Sequence, residues 1–236
     1  MTTTERPTVV ESGTERFNLR LLVWSGPVCI VTVLLGWMVL AGFLPPPAPS
    51  LSRAEAIEVW RDHTNVKRLG LILCVWGGTL YVTFSMAVYY ALRRSGQRIL
   101  AGAQAALGVF GTVFFTLNFF VLSMVPFRLD TDPEGIQPLH DLGFAMTFSP
   151  VPPFTFQYLL IALAILQGSD VFPRWVGYVN VFCAVLLIPP CLIPMFRTGP
   201  LAWNGLFSFW IPVIEFTAWF FVMFWAMNSS LTRQAR

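Results

Sequence analysis

Six apolar runs, over residues 21–44, 67–92, 99–125, 141–167, 174–195 and 203–227, take up almost the whole sequence. Each is long enough to cross a bilayer as a helix, which takes about 20 residues. Backbone polar groups in lipid must be satisfied within their own segment, and consecutive apolar runs of this length do that as helices. The fold class that follows is all-α: a polytopic bundle of six transmembrane helices. Composition agrees, with 56% hydrophobic and 11% charged residues, against about 25% charged in a soluble domain. No stretch is left over for a separate soluble domain. The expected organisation is a disordered cytoplasmic tail over 1–20, one six-helix domain over 21–228, and a short cytoplasmic tail over 229–236. No cleavable leader is expected, because residues 1–20 are polar and the first apolar run is too long for one.

Charge sorts by side. With the N-terminus in the cytoplasm, the inner segments hold nine basic residues: Arg6, Arg16, Arg20, Arg93, Arg94, Arg98, Arg174, Arg233 and Arg236. The outer loops hold six: Arg53, Arg61, Lys67, Arg68, Arg128 and Arg197. The positive-inside rule then places both termini in the cytoplasm, in the cell membrane. The net charge of +3 is accounted for by this asymmetry and does not indicate nucleic acid. Cys29, Cys74, Cys183 and Cys191 fall inside runs without a CxxC pair and read as small buried hydrophobes.

The first outer loop carries a capping box, Ser52-Arg53-Ala54-Glu55, which starts a short helix. Ile57, Trp60 and Thr64 share one of its faces, so it reads as an amphipathic helix on the outer surface, an interfacial anchor or a lid. Gly70, Gly77 and Gly78 in the second run, and Gly102, Gly108 and Gly111 in the third, predict a closely packed hairpin.

Proline divides the halves. Ser149-Pro150-Val151-Pro152-Pro153 predicts a fourth span split into an outer piece near 139–148 and an inner helix near 154–167. Ile188-Pro189-Pro190-Cys191-Leu192-Ile193-Pro194 breaks the fifth span, and Pro212 loosens the sixth. Broken backbone at membrane depth is tolerated where it is buried in protein or lines a cavity, and transporters build midplane sites from such helices. A small cavity in the C-terminal half is therefore expected.

Glu215 is the one charge between Leu201 and Met227. A carboxylate at that depth costs roughly 2.5–3.5 kcal/mol on insertion scales. It needs a partner, a cavity or a proton, and no lysine or arginine lies within the body of any span. Its available partners are Asn118, Gln104, Gln157, Tyr178, Asn180, a hydroxyl or water. Trp210 and Trp219 flank it. The expected ligand-binding set is Glu215, Trp210, Trp219, Asn118, Asn180 and Gln157, with Glu215 as general acid if the chain is an enzyme. Asn118 and Asn180 are the expected hydrogen-bond partners of the carboxyl.

No Walker loop, GxSxG, HExxH or strand-borne GxGxxG is present. No cofactor and no metal site is expected: His63 and His140, with Asp130, Asp132 and Glu134, lack HxH or HxxxH spacing. The functional expectation is binding or moving a hydrophobic small molecule, alone or as the membrane subunit of a larger assembly. The alternatives are a membrane-embedded isomerase or cyclase, and a structural subunit. The expected partners are the lipid bilayer, the hydrophobic molecule and other membrane subunits.

Overall fold

The computed structural model describes residues 13–131, 133–168 and 171–233. The expected tail over 1–12, the last three residues, and Asp132 lie outside them. The described chain is all-helical, with six helical stretches long and apolar enough to span a membrane. Helix α1 (Gly13–Leu34) runs on into a π-helical stretch, Leu35–Leu40. Residues 13–20, expected in the tail, are its first two turns. Helix α2 (Arg53–Arg61) precedes α3 (Thr64–Arg94) and α4 (Arg98–Met124).

The fourth span is two helices, α5 (Ile136–Phe148) and α6 (Pro152–Leu166), divided where the prolines predict. Pro152 and Pro153 occupy the first two positions of α6, where a missing N–H costs nothing. The fifth span is α7 (Arg174–Leu186) followed by the 3-10 segment Pro189–Met195. The sixth opens as a π-helical turn, Leu206–Trp210, and becomes α8 (Ile211–Arg233). Pro212 therefore sits at the start of α8, directly after the irregular turn.

The N-terminal half is held by close backbone approach. A Cβ on Gly36 would collide with the Gly70 carbonyl oxygen, and one on Gly70 with that of Gly36, so the π-helical end of the first span and α3 touch backbone to backbone there. The α3–α4 hairpin closes the same way, with Gly108 against the Ser85 hydroxyl. Three helices are then tied by a polar knot. The Tyr81 hydroxyl (α3) donates to Gln157 Oε1 (α6) at 2.6 Å. Gln157 Nε2 donates to Ser85 Oγ (α3) at 3.0 Å and to Gln104 Oε1 (α4) at 3.1 Å.

The side opposite the termini is closed by aromatic rings. Helix α2 has the expected capping box, with Ser52 and Glu55 bonding reciprocally. Its role differs from an anchor on lipid: Trp60 is fully buried. Its indole N–H donates to His140 Nδ1 at 2.9 Å. Phe43, Phe144 and Trp203 pack around this pair. The Trp203 indole in turn donates to the Pro47 carbonyl.

Candidate functional site: an apolar cleft beside a buried carboxyl

The three proline breaks fall around one cleft of about 100 Å³ open to a water-sized molecule. Helix α1 contributes Ile30, Val33 and Leu34, its π-helical continuation Trp37 and Met38, and α4 contributes Phe115 and Phe119. Thr147, Phe148, Val151 and Phe154 come from the two sides of the α5–α6 break. Leu187 closes it at the end of α7, and α8 supplies Pro212, Val213, Phe216 and Thr217. Hydroxyls of Thr147 and Thr217 and the Trp37 indole are the polar side-chain groups of this lining. The Thr147 hydroxyl is spent on the Gly143 carbonyl at 2.9 Å. The cleft is not confined to the C-terminal half, as the proline pattern alone suggests. The prolines free the backbone on one side, while α1 and α4 supply the facing wall.

None of the six expected ligand residues is in that lining. Glu215 is buried, 5% exposed, and turned toward α6 and α7. It interacts electrostatically with Tyr158, Tyr81 and the Cys183 thiol. The thiol approaches without completing a hydrogen bond: among the described residues, neither carboxyl oxygen has a partner. The Tyr158 hydroxyl is likewise buried without one. Its ring stacks on Trp219 with centroids 4.4 Å apart.

The expected bond from Asn118 or Asn180 to Glu215 is not made. Asn180 is committed elsewhere, accepting from Trp219 Nε1 at 2.9 Å and donating to the Val176 carbonyl at 2.8 Å. Asn118 is fully buried on α4 with neither amide atom bonded among the described residues. On that helix Gly111 meets Phe154 and Leu122 meets Gly143, so Asn118 lies level with the α5–α6 break. Trp219 is buried in the core, whereas Trp210 is 39% exposed and Tyr178 is 59% exposed. Gln157 and Gln104 belong to the interhelical knot.

The two histidines do not meet. His63 is exposed, 3.3 Å from the Asp62 carboxylate, while His140 is inside the aromatic cap. No group of three His, Cys, Asp or Glu among the described residues is arranged to hold a metal ion. Two parts of the site were not legible beforehand. The contribution of the first span carries no charged residue and no proline cluster, and the aromatic cap is assembled from residues 43, 60, 140, 144 and 203, which share no local pattern.

No family model matches the chain, and neither a curated protein nor a solved structure does.

Proposed function

We propose that this multi-pass membrane protein binds a hydrophobic small molecule in the cleft between α1, α4, the α5–α6 break and α8, to hold it or to pass it on. The observation that carries this reading is the coincidence of an apolar cleft with three interrupted helices. Interrupted backbone at membrane depth is retained where it lines a cavity. The test uses purified protein in nanodiscs and labelled 2-ethylnaphthalene. A saturable component is expected above partition into empty discs, and Val213→Trp, which fills the cleft, removes it. A wild-type protein with no saturable component refutes the reading.

A second reading rests on Glu215, as the general acid of an isomerase or cyclase. Its support is the pair of unpartnered carboxyl oxygens beside the unpartnered Tyr158 hydroxyl. Phe216, the next residue on α8, lines the cleft, so this reading needs a substrate that reaches past the lining to the buried carboxyl. Orientation belongs to the proposal too. The arginine asymmetry supports both termini in the cytoplasm, with the cell membrane as location. With Ser95→Cys and Thr131→Cys introduced singly, an impermeant thiol reagent added outside the cell should label position 131 and spare position 95. Labelling of position 95 reverses the orientation.

A further inference from the structure

A hydrophobic molecule dissolved in a bilayer gains little by moving into an apolar cleft, because lipid tails are as apolar as leucine. Selective capture from lipid therefore needs a shape match or a polar contact that lipid tails cannot make. Trp37 is the residue that bears on this. It lines the cleft and is 4% exposed, and its indole Nε1 is buried with no acceptor among the described residues. Its ring is packed against Phe43, Phe119, Phe144 and Phe148, none of which carries an acceptor. The other buried indoles of the bundle are satisfied: Trp60 by His140, Trp203 by Pro47 and Trp219 by Asn180. A buried donor left unpaired is costly and rare in a folded protein, and this one belongs to a residue of the cleft wall, closed off from the cleft itself, so a bound molecule meets it when a neighbouring ring yields. Trp37 Nε1–H donates and cannot accept, so its complement is an oxygen acceptor.

We infer that the cleft selects hydrophobic molecules bearing a carbonyl-type oxygen, a ketone, quinone or ester, and that Trp37 Nε1–H is the donor that recognises it. This rests on the cleft being the binding site, and the experiment separates the two claims. Binding of 2-acetylnaphthalene and of 2-ethylnaphthalene, which share a skeleton and differ in the carbonyl, is measured in nanodiscs with wild-type protein and with Trp37→Phe. The wild type should bind the ketone about fivefold or more tightly than the hydrocarbon, the scale of one added hydrogen bond. Trp37→Phe should bring that ratio to about one; the ratio is the readout, because a change in cleft shape acts on both probes alike. In wild-type protein carrying ¹⁵N-indole tryptophan, the ketone should move the Trp37 Nε1–H resonance downfield and the hydrocarbon should not.

Equal wild-type affinity for both probes overturns the inference and leaves the cleft standing as a binding site. A ketone preference that survives in folded Trp37→Phe overturns it as well. Absence of saturable binding by either probe overturns the cleft reading, and this inference with it. Should Trp37→Phe fail to fold, the wild-type ratio and the indole resonance decide.

Discussion

Replacing Gln157 by leucine should loosen the bundle at the wall of the cleft. Gln157 is fully buried on α6 and makes three side-chain hydrogen bonds: from Tyr81 at 2.6 Å, to Ser85 at 3.0 Å and to Gln104 at 3.1 Å. Interhelical hydrogen bonds in a membrane average about 0.6 kcal/mol and reach about 1.7. Three of them place the loss at about 2 kcal/mol. Leucine is close in size to glutamine, so the cavity term is small and most of the loss belongs to the hydrogen bonds. Tyr81→Phe removes one hydroxyl and should cost about 0.6–1.7 kcal/mol. The two changes share a bond, so the double mutant should fall short of their sum by about the energy of that bond. The assay is reversible unfolding in bicelles, read for wild type, both single mutants and the double mutant. Phe154 sits three residues before Gln157, 5.3 Å ring to ring from Tyr81. Binding of a cleft probe should therefore weaken along with stability. A Gln157→Leu protein within about 0.5 kcal/mol of wild type, or full additivity in the cycle, refutes the account of the knot as an energetic tie.

Three further outcomes are expected. Glu215→Leu should leave the bundle as stable as wild type or stabilise it by about 1 kcal/mol, because no donor is left unpaired and an unsatisfied polar group is removed; a loss above about 1 kcal/mol in the same unfolding assay would reveal a partner. Glu215→Gln keeps shape and hydrogen-bonding capacity but cannot release a proton, so loss of turnover in that folded protein favours the acid reading. Gly108→Ala drives a methyl into the Ser85 hydroxyl and should cost about 1–3 kcal/mol, whereas Gly102→Ala, with open space around it, should be neutral or gain up to about 1 kcal/mol of helix propensity; reversed signs would contradict the helix–helix approach described above. At the α2 cap, hydrogen bonds from the Ser52 hydroxyl and backbone N–H hold the Glu55 carboxyl below its ordinary pKa of 4.5. A depressed carboxylate pKa contributes stability present above the unfolded value and lost as pH falls through the folded one. Protection factors of the amides at the start of α2, corrected for intrinsic exchange, should therefore fall only below about pH 4.5, and Ser52→Ala, which removes the hydroxyl and keeps the backbone N–H, should move the Glu55 titration, followed by NMR, upward toward its ordinary position.

Much of the architecture was written in residue type and order. Runs of apolar residues specify helices in lipid, because backbone groups there have no other partners. Clustered prolines mark the breaks, because each removes an N–H and its ring crowds the preceding turn; Pro27, alone inside α1, does not interrupt it. The breaks at 149–151 and after Leu186 lie where prolines 150, 152, 189 and 190 require. The capping box was equally legible, since both partners lie three residues apart. Which face of each helix turns inward was not. On the first span, Val23, Ile30, Val33 and Trp37 are buried, while Leu21, Trp24, Val28, Val31, Leu35 and Val39 are exposed. The two stripes are equally apolar. In water, burial would sort them; in a bilayer the exposed stripe meets a solvent as apolar as the protein interior, so hydropathy carries no sign of direction. The pairing of polar groups was hidden for a related reason. Glutamine, asparagine and glutamate announce that they need partners. Whether Asn180 meets Glu215 or Trp219 depends on the rotation and depth of α7 against α8. That was decided by the packing of glycines and rings along whole helices, which exists only once the bundle is assembled.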